Sequence, residues 1–353
     1  MRAQEGIIPM KDKLKTIWNL VQNGAKTIWS RIVAGCKNAW SRFVEDTKGF
    51  VADIKSIKSV KDLVILKKYV YKVLIVFFAL VFLVSATFVV RYMIQSYQHK
   101  KYQDYLQSLH TQPSRPNTVP LRPSTSDNFT YGDITWPWGS GGEDTTDPHE
   151  RPTDPNATGE SGILLELEAL YKLNKDVVGY LYIPGTNVNY PVLHRPSQKD
   201  YYLYKDILGR EDNHGSLYVR EACNVFSPSD NVTIYGHNMA DATMFAHLFR
   251  FKDETFFNEH PIVYFDNLYE RHTYQVLCLF RTSGTYGVGF PYHLYDDFED
   301  EAEFNEFVKK IRKLAIHDSG ISVSYGDKFI CLSTCEDWPI KNGRLVLVAV
   351  RID

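Results

Sequence analysis

Three side chains suited to acyl transfer stand where strand-like runs of this chain end or begin. Cys335 closes the run Cys331-Leu-Ser-Thr-Cys335 and is followed by the acidic pair Glu336 and Asp337. Nine residues later Arg344 opens an apolar stretch, 345–350, that reads as a buried strand. About a hundred residues upstream, Thr233-Ile-Tyr-Gly-His237-Asn-Met239 ends another apolar run on an imidazole. A thiol reacts as thiolate, and positive neighbours lower its pKa. A protonated imidazole can give a proton to a leaving amine and later take one from an attacking amine. A guanidinium can stabilise the oxyanion of a tetrahedral intermediate or clamp a substrate backbone. Taken one at a time, each residue has a plainer role: an inert buried cysteine, a turn histidine held by backbone hydrogen bonds, and a surface arginine closing the Lys341-Asn-Gly343 turn. The combination is what points to chemistry. The chain has 11 histidines but neither an HExxH nor a CxxC pattern, so metal binding is not expected.

The elements that must position these groups lie in the C-terminal half. Runs rich in Val, Ile, Tyr and Phe occupy residues 178–183, 189–193, 216–219, 231–235, 262–265, 273–280, 328–332 and 345–352. Eight short runs separated by turns predict a mainly β domain, an antiparallel barrel or sandwich. Leu164, Leu167, Leu170 and Tyr171 share one face of a short helix that opens the domain, and residues 297–315 carry Phe298, Phe304, Phe307, Val308, Ile311 and Leu314 at helical spacing.

Residues 73–90 contain no charge and are long enough to cross a bilayer as a helix. Some seventy residues precede this stretch, which favours an uncleaved anchor over a signal peptide. Residues 1–72 hold 15 Lys+Arg against 6 Asp+Glu; of the chain's 40 and 42, the remainder hold 25 against 36. The basic side is expected in the cytoplasm and the C-terminal bulk outside, and the acidic exterior implies no nucleic-acid partner. Four cysteines fall beyond the span. Cys331 and Cys335, four residues apart on one extended strand, would be about 13 Å apart at roughly 3.3 Å per residue, too far for a disulfide. An exported domain without disulfides fits a Gram-positive cell surface.

The expected organisation is therefore a cytoplasmic region over 1–68, a transmembrane helix over 69–92, an extracellular stalk and Pro/Ser/Thr/Gly-rich linker over 93–162, and a catalytic domain over 163–353. Within the first segment an 11-residue repeat, Lys15-Thr-Ile-Trp18, Lys26-Thr-Ile-Trp29 and Lys37-Asn-Ala-Trp40, puts its apolar residues on one helical stripe flanked by lysines. Such a helix could lie on an anionic leaflet or pack on a partner helix. Residues 91–109 could continue the membrane helix as a polar one, and residues 111–162 are expected to be extended and mobile.

Leu332-Ser-Thr-Cys335 with Arg344 downstream and Tyr235-Gly-His237-Asn-Met239 upstream resembles the signature of the sortase family. The Gly-His-Asn-Met run, the helix inserted before the cysteine strand, the helix opening the domain and Val178-Gly-Tyr-Leu-Tyr-Ile-Pro-Gly-Thr186 resemble its class B branch. Cys331 stands where the signature usually has Thr. The resemblance covers residues 163–353 and implies an eight-stranded sortase-type β-barrel and a cysteine transpeptidase, with no cofactor. It implies that Cys335 attacks the Thr carbonyl of an Asn-Pro-x-Thr-type sorting signal, that His237 is acid and then base, and that Arg344 steadies substrate and oxyanion. It further implies that Ser333, Thr334, Glu336, Tyr235 and Leu203 line the signal groove. The implied partners are surface proteins with a C-terminal sorting signal and an amine from a lipid-linked peptidoglycan precursor or a pilin. A peptidoglycan hydrolase using the same Cys and His, and a non-enzymatic adhesin on a degenerate barrel, are the competing readings.

Overall fold

A computed structural model describes residues 63–110, 115, 119–124, 158 and 162–353, with scattered positions between 34 and 48. The 11-residue repeats and most of the expected linker lie outside the described residues. The chain divides into two compact units, Met1–Tyr92 and Met93–Asp353.

The first unit is described chiefly by the start of helix α1 (Leu63–Leu109). It contains the one described helix apolar and long enough to cross a membrane. Phe77, Phe78, Phe82 and Phe88 on it are exposed.

The second unit is a β-barrel. Its strands are β1 (Val177–Tyr182), β2 (Asn189–Leu193), β3 (Leu217–Val219), β4 (Asn231–Tyr235), β5 (Ile262–Asn267), β6 (Thr273–Ser283), β7 (Ala315–Asp318), β8 (Phe329–Cys335) and β9 (Gly343–Arg351). Their order is β5-β1-β2-β3-β4-β8-β9-β6, and β5 pairs with β6 to close eight strands into a ring, with β7 appended to the outer side of β6. All eight predicted runs are strands. The antiparallel expectation is corrected to a mixed sheet, because β2–β3 and β4–β8 are parallel. Hydrophobic alternation reports which face is buried and carries no information on the direction of a neighbour. β7 escaped prediction because it is a half-exposed four-residue strand directly after a helix.

Two apolar layers explain why β6, β8 and β9 are hydrophobic on both faces. Inside the barrel, Val276, Leu279, Ile330, Leu332, Leu345 and Leu347 join the central core. On the outside, Phe280, Phe329, Val346 and Val348 meet Phe304, Phe307 and Ile311 of the inserted helix α4 (Glu301–Leu314). Asp300 caps that helix by accepting from the Glu303 N–H at 2.9 Å, as an N-cap aspartate should. Between them lie α2 (Leu165–Leu173), which opens the domain as expected with Leu167 and Leu170 fully buried, and the short α3 (Glu254–Glu259).

The expected stalk over 93–162 is corrected at its start. The polar half of α1 packs on the barrel through Leu106, which is buried with Leu164, Leu167 and Leu170, and His110 stacks on Tyr180 at 3.6 Å. Beyond it, Arg115 pairs with Asp266 at 2.5 Å. Arg122 makes a bidentate pair with Asp327 at 2.6 and 2.9 Å and donates to the Arg351 carbonyl. Polar composition suggested a free segment, but these side chains find partners only the folded barrel supplies.

Candidate active site

Strand register brings the three predicted groups to one edge of the barrel. β4 runs parallel to β8 with Tyr235 opposite Ser333. His237 and Cys335 each lie two residues further along, so both leave their strands at the same end. β9 runs antiparallel to β8 with Arg344 opposite Cys335, which sets the two residues side by side across neighbouring strands. Cys335 is exposed, whereas Cys223, Cys278 and Cys331 are buried free thiols. Burial pushes the Cys223 thiol up to about 12 and Cys278 well above its usual range, so Cys335 is the described cysteine whose placement suits a nucleophile.

Gly236, between Tyr235 and His237, is required by close packing: a Cβ there would stand 2.4 Å from Leu217 and 2.7 Å from Phe245. Its N–H donates to the Ser333 carbonyl at 3.1 Å, tying the histidine strand to the cysteine strand. His237 is half-buried, and its Nε2 lies 2.7 Å from the Leu203 carbonyl. A carbonyl only accepts, so Nε2 carries the hydrogen and Nδ1 is the nitrogen open to proton exchange. Burial lowers the His237 pKa; the Leu203 carbonyl acts in the other direction, and the charge of His214 adds to the lowering. Asn238 reaches across to the Cys335 carbonyl at 3.5 Å.

A cleft of about 310 Å³ opens at this edge and includes Cys335, His237 and Arg344 in its wall. Leu203, Tyr235, Ser333 and Thr334 also line it. Glu336 does not. Its side chain is buried, with its carboxylate held by Arg281 at 2.6 and 3.1 Å and by Lys252. Burial alone would raise its pKa, but these two cations hold it below the usual carboxylate range. The family resemblance put Glu336 in the groove; two cations distant in the chain hold its carboxylate at the end of β8 instead.

Tyr292 is a wall residue that the sequence did not single out. It is buried, and its hydroxyl lies 2.5 Å from the Ser333 Oγ. Burial raises its pKa, so it stays a neutral phenol. No local signal marked it, since it opens a single 3-10 turn, Tyr292–Leu294, between β6 and α4.

A second polar cluster lies in the same unit. His214 Nδ1 is 3.0 Å from Asp212 and its Nε2 is 2.9 Å from Asp241. Both partners are carboxylates, so both nitrogens carry hydrogens and the ring is an imidazolium. His99 of α1 lies 2.8 Å from the other Asp212 oxygen and stacks on His214 at 3.8 Å with 9° between the rings. Asp241 also accepts from Ser96 of α1. His99, Asp212 and His214 have ligand atoms within 4.8 Å of one another. Two nearly parallel rings this far apart cannot both hold one cation in their planes, so the arrangement is a hydrogen-bonded clasp between α1 and two loops of the barrel.

Comparison with known proteins agrees with this geometry. A family profile of the sortase domain matches residues 181–352. The chain is 31% identical over 184 residues to Sortase B of Listeria monocytogenes, spanning 52% of this chain and 72% of that one. It is 29% identical over 187 residues to Sortase B of Staphylococcus aureus, spanning 53% and 74%. The crystal structure of sortase B from B. anthracis superposes with a TM-score of 0.53 at 23% identity, covering 74% of this chain and 99% of that one, a likeness of fold. With the barrel, the inserted helix and a thiol, an imidazole and a guanidinium at one edge, the chain belongs to the sortase family, in its class B branch, and is a cysteine transpeptidase.

Proposed function

We propose that this chain is a membrane-anchored sortase that cleaves an Asn-Pro-x-Thr-type sorting signal after Thr and transfers the acyl group to a cell-surface amine. In this reading the Cys335 thiolate attacks the Thr carbonyl carbon, and the charge that develops on the oxygen meets Arg344. His237, as imidazolium, protonates the departing amine as the C–N bond breaks, leaving a thioester on Cys335. The acceptor amine then attacks the thioester, neutral His237 takes its proton, and the thiolate leaves. Leu203, Tyr235, Ser333 and Thr334 are the proposed groove residues, and Glu336 is assigned to holding the strand end.

The observation that carries the reading is the pair of registers, Tyr235 opposite Ser333 and Cys335 opposite Arg344. They bring His237 to the edge where Cys335 and Arg344 lie, about a hundred residues away along the chain. The basic N-terminal segment and apolar helix support an anchor with a cytoplasmic N-terminus and an external catalytic domain. Such a tether would confine the enzyme to the surface where an emerging substrate and a lipid-linked acceptor both occur.

The test uses residues 93–353, which keep the docked half of α1, incubated with an Asn-Pro-x-Thr peptide library and an amine acceptor, alongside Cys335→Ala. Mass spectrometry is expected to show a Thr-acyl adduct on Cys335 and an amine-ligated product, both missing from the variant. Products of water attack alone would support a hydrolase instead, and a pilin-derived lysine outcompeting wall-precursor amines would make the enzyme a polymerase of pilins.

A further inference from the structure

The turn from β8 to β9 contains a residue whose backbone favours glycine and whose side chain is engaged. Asn342 has φ +55°, in the left-handed region, and it is exposed. At such a position glycine is free of the steric cost that a side chain carries, although asparagine tolerates it better than most residues. The side chain at 342 makes two contacts. Its Oδ1 accepts from Arg344 Nη1 at 3.2 Å, and its Nδ2 donates to Thr285 Oγ1 at 3.3 Å. The Asn342 backbone carbonyl accepts from the Gly284 N–H at 2.7 Å and lies 3.4 Å from Arg344 Nη1. The Gly343 carbonyl accepts from the same Nη1 at 2.9 Å. Gly284 lies against the guanidinium so closely that a Cβ there would be 2.8 Å from Arg344 Cζ.

We propose that Asn342 is the positioning residue of the oxyanion-stabilising arginine: with Gly284 and Thr285 it holds one edge of the Arg344 guanidinium and leaves the rest for substrate. The proposal rests on the reading of Arg344 given above. All the recorded bonds of Arg344 go to Nη1, and among the described residues Nε and Nη2 have no partner. A long arginine side chain is otherwise free to sample many rotamers, so holding it before substrate arrives lowers the entropy lost in the transition state. Thr285 and Gly284 follow β6, whereas Asn342 precedes β9, so the same contacts join two loops beside the cleft.

The experiment compares the full-length chain in detergent with Asn342→Gly, Asn342→Asp, Arg344→Ala and the double variant Asn342→Gly/Arg344→Ala. Asn342→Gly is expected to keep or raise the melting temperature, because glycine suits the backbone, while kcat falls about 10- to 100-fold with little change in KM, the scale of a misplaced catalytic group. Asn342→Asp keeps the acceptor and tolerates the same backbone, so it should stay within a few-fold of the parent. In the double variant the glycine should cost nothing beyond Arg344→Ala, since both act through one group. Full kcat in Asn342→Gly, or an equal loss in the Arg344→Ala background, overturns the positioning role. Full activity in Arg344→Ala alone overturns the assignment of Arg344 instead.

Discussion

At the scale of single residues, His237 is the proposed acid and base, and its pKa is pulled in two directions. Burial disfavours its charged form, the Leu203 carbonyl favours it, and His214 disfavours it again, leaving its pKa below the ordinary 6.5. The imidazolium that would protonate a leaving amine is therefore a minority at neutral pH, and it becomes rarer as pH rises. An NMR titration of the His237 ring in residues 93–353 should give a midpoint below 6.5, and His214→Asn should move it upward by removing a nearby positive charge. A midpoint at or above 6.5 in the parent would mean that the carbonyl hydrogen bond outweighs burial. Glu336 shows the converse case, a group that the family resemblance put in the groove and whose contacts make it structural. With Arg281 and Lys252 on it, its deletion would leave two cations near Cys335 without their partner.

At the scale of elements, the docked half of α1 acts through the clasp at His99 and His214. Burial on its own would lower the His214 pKa, but Asp212 and Asp241 raise it above 6.5. A group whose folded-state pKa is raised contributes its stability fully below the unfolded value and loses it as pH climbs through the folded one. The groups facing His214 are Asp212, Asp241 and the stacked His99, with Ser96 and Thr243 also bonded to Asp241. Thermal melts of residues 93–353 should therefore fall as pH is raised above 6.5, and His214→Gln should flatten that dependence. A stability that rises over the same range in the parent would contradict a cationic His214. Since Asp241 lies four residues after His237 and Asp212 shares a loop with Leu203, the clasp braces the two loops between which His237 is held.

At the scale of the whole molecule, charge and hydropathy along the chain argue for an anchored enzyme with its thiol outside the cell. Cys36 precedes the apolar stretch and Cys335 follows it, and among Cys223, Cys278, Cys331 and Cys335 the last is the exposed one. A membrane-impermeant maleimide applied to intact cells is expected to label Cys335 and to spare Cys36 until the cells are opened. Labelling of Cys36 alone would invert the topology. Labelling of neither in a Cys335-containing chain would mean the thiol is masked at the surface, and Cys335→Ala identifies the reactive site.

Local patterns of residues were enough for the eight barrel strands, the helix opening the domain, the inserted helix within 297–315 and the apolar span, and they brought Cys335, His237 and Arg344 forward as candidates. Each leaves a local mark, because burial imposes a period on the side chains of its own element and a strand end is bounded by turn residues within a few positions. The Lys341-Asn-Gly343 turn was visible for the same reason, but the bond from Asn342 to Thr285 was not. Only the tertiary structure decided that β4 and β8 run parallel, which is what sets His237 and Cys335 at one edge. It alone paired Glu336 with Lys252 and Arg281, placed Tyr292 against Ser333, and docked the end of α1, Arg115 and Arg122 on the barrel. These facts join residues tens to hundreds of positions apart, and the free energy that selects them comes from burial and ion pairing across the fold, to which no local pattern of residues is sensitive.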